Sequence, residues 1–226
     1  MTKRIIGLTG GIATGKTTVA NYLATAYNLP ILDADIYARE AVSIGSPILD
    51  AITNRYGKQI LLPDGNLNRE GLGEIIFNNQ QERNWVEESI HPYVRDRFLE
   101  TVAASSEQTL VFVVPLLFEA NMTNSITEIW VVSCSQDEQL KRLIQRNHLT
   151  KEQAIARIQS QLPIEEKAAC ANVVLDNSST IEELLKQVDT AISKSYCQSL
   201  NFRLNDATQR KKIGGLIEYK PPIDRC

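Results

Sequence analysis

The chain has 226 residues, of which 43% are hydrophobic, and its 24 Lys and Arg against 27 Asp and Glu leave a formal net charge of −3. That balance gives no overall attraction to nucleic acid or to anionic membrane, so any basic site has to be local. No apolar run approaches the ~20 residues that span a bilayer, and the N-terminal segment meets glycine too early for a secretory signal. We therefore expect a cytoplasmic protein that acts on neither membrane nor nucleic acid.

Short β-rich apolar segments alternate along the chain with helical patterns. Strand–helix alternation predicts an α/β fold, in which a mostly parallel sheet is covered by helices on both faces. Capping-box spacings at Ser135, Thr150 and Ser179, together with Ser46 before Pro47, predict helix starts. The predicted strands are 4–9, 30–34, 109–115, 128–134 and 172–177.

The final helical pattern places its apolar residues on one stripe, which predicts a helix packed against the core. The stripe consists of Ile181, Leu184, Leu185, Val188 and Ile192.

Two segments interrupt the alternation. Residues 36–108 are mainly helical in pattern, with one hairpin-like piece whose turn is Asp64-Gly65, and we interpret them as a helical lobe inserted into the core. Residues 197–226 follow the last helical pattern as an extension whose role the sequence does not indicate. The core is then expected to consist of 1–35 and 109–196.

The four cysteines lack CxxC spacing, which favours reduced thiols over a zinc site.

The stretch "GGIATGKT" that begins at Gly10 satisfies the P-loop pattern G-x-x-x-x-G-K-[ST] between a predicted strand and a predicted helix. Glycines let backbone N–H groups converge on phosphate oxygens, and the helix N-terminus adds its dipole. In this pattern Lys16 reaches the β- and γ-phosphates, while the Thr17 hydroxyl can ligate Mg²⁺. The predicted nucleotide-phosphate residues are Gly10, Gly11, Ile12, Ala13, Thr14, Gly15, Lys16, Thr17 and Thr18.

Two carboxylates follow the second predicted strand in "LDAD", where Asp33 and Asp35 would emerge beside the P-loop. A kinase that acts on a hydroxyl needs a carboxylate there to accept the proton. Either aspartate could instead cap the next helix. We favour a functional role for Asp33 and leave the two interpretations of Asp35 equal.

Other classes of P-loop protein fit less well. The guanine-reading N-K-x-D pattern of GTPases is absent from the sequence. Motor ATPases usually carry an acidic residue at the end of a later apolar strand, but here that strand ends at Pro115, with Glu119 in a following loop.

Arg142 and Arg146 are four residues apart and therefore share one helix face, and Arg157 and Lys167 follow in the next helical segment. Phosphoryl transfer needs cations that close over the γ-phosphate and exclude water, which a helical lid could provide. A solvated charged face explains the same pattern equally well, because several glutamates lie in the same region.

The motifs LDAD, R-x-x-L-x-x-x-I-F, HP, PLLFE and R-x-x-x-R…R-I-x-x-Q…K…DN follow the P-loop in this order, and the matching stretches together run from about Arg4 to Tyr196. This combination resembles the dephospho-coenzyme A kinase family. The resemblance implies a P-loop kinase core with a five-stranded parallel sheet, a helical substrate-binding lobe and a helical lid at about 136–168. It also implies transfer of the γ-phosphate of ATP, with Mg²⁺, to the ribose 3′-hydroxyl of dephospho-coenzyme A, the last step of coenzyme A synthesis.

By the same resemblance, Asp33 would be the general base, and Lys16, Arg142 and Arg146 would act on the transferred phosphate. Other implied positions are Arg157 and Asn177 at the nucleotide, Thr17 at the metal, and Asp33, Asp35, Arg69 and His91 at the acceptor. The family often has G-I-G-S-G-K-S in the loop, where this chain has Ala13 and Thr14.

Rival functions remain open at this level. A different small-molecule P-loop kinase would need another acceptor lobe, and a nucleotide-regulated binding protein would lack turnover on any acceptor. A nucleic-acid remodelling ATPase is disfavoured by the acidic balance. The oligomeric state is open between a monomer and a weak homo-oligomer.

Overall fold

The computed structural model describes residues 3–194, so the extension predicted at 197–226 lies outside the described residues. The strands are β1 (Arg4–Gly10), β2 (Ile31–Asp33), β3 (Thr109–Val113), β4 (Glu128–Ser133) and β5 (Val173–Asp176). The helices are α1 (Lys16–Tyr27), α2 (Ala34–Ala41), α3 (Pro47–Tyr56), α4 (Arg69–Asn78), α5 (Gln80–Ala104), α6 (Gln136–Asn147), α7 (Lys151–Gln159), α8 (Ile164–Ala169) and α9 (181–194). Short 3₁₀ turns occupy Lys58–Ile60 and Thr123–Ser125.

The five strands form one parallel sheet in the order β2-β3-β1-β4-β5. β1 is central, with Ile6 opposite Val111 on one side and Leu8 opposite Trp130 on the other. Both faces of the sheet are covered, which explains why the strands read as nearly continuous apolar runs. The predicted α/β class and all five predicted strands are confirmed.

Alternate residues of β1 contribute to two hydrophobic clusters on opposite faces of the sheet. Ile6 and Leu8 pack with Trp130 and with residues of α1 and α9. Ile5 belongs to the other cluster, where the rings of Phe98 and Phe112 stack with their centroids 4.1 Å apart.

A third cluster is the centre of the helical lobe and is formed by α3, α4 and the first half of α5. The hairpin-like piece is present: Leu61 bridges Leu67 in antiparallel fashion, and Gly65 has φ 85° at the turn. α5 is 25 residues long and serves two clusters, with Val86 in the lobe and Val94 under the sheet.

Several helix starts follow their predicted caps. Ser46 accepts the N–H of Leu49 with Pro47 at the first helical position, and Thr150 forms a complete capping box with Gln153. Ser135 accepts the N–H of Glu138, whose carboxylate pairs with Arg142.

Two local predictions are wrong. α9 begins after Thr180, which accepts the N–H of Glu183, because the hydroxyl of Ser179 is bonded to the Glu183 carboxylate. Ile181, at the first position of α9, is 57% exposed and so leaves the predicted buried stripe. Pro92 lies inside α5. Between residues 3 and 194, no helix is both long and apolar enough to cross a membrane.

Candidate active site

The loop between β1 and α1 has the backbone shape that its glycines allow. Gly10 has φ 147° and Gly15 has φ 105°. A Cβ at Gly10 would lie 2.2 Å from the carbonyl oxygen of Val132, and one at Gly15 would lie 2.2 Å from the side-chain nitrogen of Asn177. Ala13 also has a positive φ, 60°, which costs an alanine roughly 1 kcal/mol. A glycine at this position would have no such cost.

Lys16 lies across this loop. Its Nζ donates hydrogen bonds to the carbonyl oxygens of Gly10, at 3.0 Å, and Gly11, at 2.7 Å. Burial is the main cause that lowers the pKa of Lys16 to about 8, and the charge of Lys167 acts in the same direction. Lys16 therefore lies where burial and neighbouring positive charge both disfavour its ammonium, and a bound anion would offset both effects.

A cavity of about 850 Å³, which we call the phosphate cavity, opens at the carboxyl edge of the sheet. It brings together ten of the predicted residues: Ile12, Ala13, Gly15, Lys16, Thr17, Thr18, Asp33, Asp35, Arg142 and Arg146. It also includes Val113 and Gln145, which the sequence motifs had not singled out, and Pro115 and Gln161, which belong to the PLLFE and R-I-x-x-Q motifs. Thr14 is buried instead, and its hydroxyl donates to the Gly11 carbonyl at 2.9 Å.

The two aspartates of LDAD have different structural positions. Asp33 ends β2 and caps α2, since its Oδ1 accepts the N–H of Asp35 at 2.8 Å. Asp35 is in the first turn of that helix, where burial first and the charge of Asp33 second raise the pKa of its carboxyl group. Capping and a position at the cavity coexist in Asp33, so the two interpretations of this residue do not exclude each other.

The lid cations divide into two groups. Arg142 and Arg146 project from one face of α6 to the phosphate cavity, and Arg142 also donates to the Asn177 carbonyl at 3.0 Å. Arg157 is exposed in the last turn of α7 and does not line the cavity. Asn177 is buried under the loop, where its side-chain N–H₂ donates to the Thr14 carbonyl at 2.8 Å.

The two acceptor-binding residues predicted in the helical lobe also lie in different surroundings. Arg69 is exposed at the start of α4, and its guanidinium donates to the Arg39 carbonyl at 3.4 Å. His91 is half-buried on α5, where burial is the main cause that lowers its pKa. It lines a mostly apolar second cavity of about 370 Å³, the lobe cavity. Asp35, Pro115 and Gln161 border both this cavity and the phosphate cavity.

Two residues named in the sequence analysis form a buried ion pair beside the phosphate cavity, and the sequence patterns did not predict this pairing. Lys167 on α8 is fully buried, and its Nζ lies 2.8 Å from Oε1 of Glu119. The same Oε1 accepts the N–H of Leu162 at 3.0 Å. A lysine in an acidic helical segment has the pattern of a surface residue, so only the PLLFE and K elements of the motif series indicated these positions.

The sheet order, the phosphate loop, the carboxylates at the sheet edge and the cationic helix above them define a P-loop kinase. The chain matches the family "Dephospho-CoA kinase" over residues 4–183. A dephospho-CoA kinase of Trichormus variabilis is 72% identical over 193 residues, which cover 85% of this chain and 98% of the relative. One from Synechocystis is 55% identical, covering 82% and 93%. The chain belongs to the dephospho-CoA kinase family.

Solved structures agree with the fold. A Thermus thermophilus protein superposes with a TM-score of 0.74 at 28% identity, covering 86% of this chain and 98% of its own. The dephospho-CoA kinase of Campylobacter jejuni gives 0.64 at 28% identity, covering 85% and 96%. The shikimate kinase of Acinetobacter baumannii, at 15% identity and 0.51, shares the fold.

Proposed function

We propose that this chain transfers the γ-phosphate of ATP to the ribose 3′-hydroxyl of dephospho-coenzyme A, giving coenzyme A and ADP. The observation that carries the proposal is the pair of adjoining cavities at the carboxyl edge of the sheet, which share Asp35, Pro115 and Gln161 as lining residues. There the loop around Lys16 and the carboxylates of Asp33 and Asp35 face one cavity, which adjoins the apolar lobe cavity. A phosphate donor and a large acceptor can therefore meet at the two aspartates.

The donor side uses backbone and cationic groups. The N–H groups of the loop and the N-terminus of α1 bind the phosphates. Lys16 gives up its hydrogen bonds to the carbonyl oxygens of the loop and donates to phosphate oxygens instead. Arg142 and Arg146 neutralise charge that develops during transfer. Arg157 and Asn177 are proposed to act around the nucleotide, Asn177 through its hydrogen bond to the loop.

Magnesium fits this site as a companion of the nucleotide. In the part of the chain from 3 to 194, no group of three or more His, Cys, Asp or Glu side chains is arranged to hold a metal. Mg²⁺ usually takes one or two protein oxygens, with phosphates and water for the rest, and Thr17 with an aspartate could supply them. When bound, it would neutralise phosphate charge.

On the acceptor side, Asp33 takes the proton of the 3′-hydroxyl as that oxygen bonds to the γ-phosphorus and the bond from phosphorus to the bridging β,γ-oxygen breaks. The bond from the Asp35 N–H fixes the orientation of the Asp33 carboxylate. We propose that Asp35, His91 and Arg69 contribute to acceptor binding, His91 through the lobe cavity.

We also propose that the enzyme acts in the cytoplasm, where ATP is abundant, as a monomer or weak homo-oligomer.

An ADP-release assay with dephospho-coenzyme A, adenosine, shikimate and gluconate tests the proposal. We expect turnover with dephospho-coenzyme A, because it is by far the largest of the four acceptors and the lobe cavity adjoins the phosphate cavity. Turnover of another acceptor with none on dephospho-coenzyme A would reject it. ATP binding without turnover on any acceptor, combined with partner-dependent hydrolysis, would instead support a regulatory nucleotide-binding protein.

The affinity for ATP should fall as pH rises above about 8. Since the pKa of Lys16 is lowered to about 8, its amine is protonated and positively charged below that pH and loses this charge above it. We expect up to a tenfold weaker affinity for each pH unit above that value, measured by calorimetry between pH 7 and 9.5. In Lys16→Arg, whose side chain stays charged, the pH dependence should disappear. A constant affinity in the wild type up to pH 9.5 would contradict this assignment.

A further inference from the structure

The peptide groups of Ile12, in the middle of the phosphate loop, are held by two glutamine side chains. The Ile12 N–H donates to Oε1 of Gln161 at 2.9 Å, and its carbonyl oxygen accepts from Nε2 of Gln139 at 2.8 Å. Gln139 belongs to α6 and Gln161 to the connection between α7 and α8. Both partners therefore come from the segment that runs from α6 to α8, including its connections, which we call the lid.

The residues on both sides of this peptide are also constrained. A Cβ at Gly11 would be 2.6 Å from the Gln139 amide nitrogen, so the loop and α6 are in close contact. Ala13, on the other side, has φ 60°. A backbone in such a conformation persists only when its surroundings hold it there. The hydrogen bonds at Ile12 supply part of that restraint for the N–H groups that face the phosphate cavity.

Gln161 is itself anchored from a second direction. The next residue, Leu162, donates its N–H to Glu119, and Glu119 is paired with the buried Lys167 of α8. The connection at 160–163 is thus attached both to the phosphate loop and to the segment after β3. Gln161 borders the phosphate cavity, the lobe cavity and a third cavity of about 410 Å³ under the lid.

We propose that Gln161 is a positioning residue that couples the lid to the phosphate loop through the Ile12 amide. The loop keeps its phosphate-binding shape while the connection at 160–163 is docked. Because coupling between two equilibria is reciprocal, bound ATP in turn favours the docked lid. A docked lid keeps water from the γ-phosphate until the acceptor is in place. The inference rests on the proposed use of this loop as the ATP site.

Gln161→Met tests the coupling, since methionine keeps the length and flexibility of the side chain but has no carbonyl oxygen. We expect ATP to bind about 3- to 10-fold more weakly, the usual range for one lost hydrogen bond. The KM for ATP should rise while that for the acceptor stays within about twofold. The ratio of ATP hydrolysed to coenzyme A formed should increase. Hydrogen exchange at the Ile12 amide should become faster.

Gln159→Met is the matched control. Gln159 is an exposed glutamine two residues earlier on the same lid, so this variant should match the wild type in every measurement. Gln161→Asn keeps the amide but draws its oxygen back by one methylene, and it provides the same tests should the methionine variant fail to fold.

Unchanged ATP affinity and an unchanged hydrolysis ratio in a folded Gln161 variant would overturn the inference. The inference would also be overturned if the affinities for ATP and acceptor fell equally and in proportion to the loss in melting temperature, since a merely structural role gives that result. ATP affinity is measured by calorimetry without acceptor. A wild type that binds ATP but does not use dephospho-coenzyme A would therefore reject the proposed acceptor, while the comparison of variants would still decide the coupling.

Discussion

Replacing Asp33 by asparagine is expected to lower kcat for phosphate transfer by about 10²- to 10⁴-fold, with ATP affinity close to the wild type. Asparagine cannot accept the proton of the acceptor hydroxyl. It is nevertheless as good a helix cap as aspartate, so the bond from the Asp35 N–H and the start of α2 should be preserved. The predicted loss is therefore chemical and not structural.

Steady-state kinetics, calorimetry with ATP and thermal unfolding together check this result. Asp35→Asn is the matched comparison, because it removes the neighbouring charge and leaves the cap in place. Asp33→Ala should additionally lose about 1 kcal/mol of stability with the cap. Near-normal kcat in Asp33→Asn would remove Asp33 from the mechanism, and a large loss confined to Asp35→Asn would transfer the role of base to Asp35.

Glu119→Gln is expected to lower the free energy of unfolding by about 3 kcal/mol. Glutamine still offers a carbonyl oxygen to the Leu162 N–H, but it leaves the fully buried ammonium of Lys167 without its counter-charge. An unpaired buried charge is among the most destabilising single changes. Lys167→Met should have a smaller effect, because the Glu119 side chain is 26% exposed and can be hydrated.

Urea unfolding of both single variants and of Glu119→Gln/Lys167→Met measures this pair. The double variant should be more stable than Glu119→Gln alone, since methionine removes the buried charge. Burial acts to raise the pKa of Glu119, but hydrogen bonds from Lys167 and from backbone N–H groups hold it below its ordinary value of 4.5. The stabilisation should therefore be present at neutral pH and disappear as pH falls through that lowered pKa. Additive effects of the two substitutions would contradict an interacting pair.

Features encoded by neighbouring residues could be predicted from the sequence. The strands, the phosphate loop and the caps at Ser46 and Thr150 each depend on a few consecutive side chains. The error at Ser179 has the same origin, because adjacent hydroxyls at 179 and 180 satisfy the same spacing and only the folded geometry selects Thr180.

The contacts that complete the candidate site join distant parts of the chain. Gln161 and Ile12 are 149 residues apart, and no periodicity links such a pair. The same is true of Lys167 and Glu119, which meet only because α8 returns to the loop after β3. Whether a polar residue in a helical segment faces solvent or a cavity is decided by tertiary packing, and this is why Arg146 and Arg157, similar in sequence, have different surroundings.

The strand order has a consequence for how the chain folds during synthesis. β1 is made before its two neighbours in the sheet, β3 and β4. Arg4 can therefore pair only after Thr109 has been synthesised, and Gly10 can pair with β4 only after Val132. At about 5–20 residues per second, the first of these partners emerges roughly 5–20 s later. Contacts this distant in sequence also slow folding itself. The nucleotide-binding loop, which precedes β3 and β4 in the chain, is therefore expected to be among the last parts of the molecule to acquire its shape.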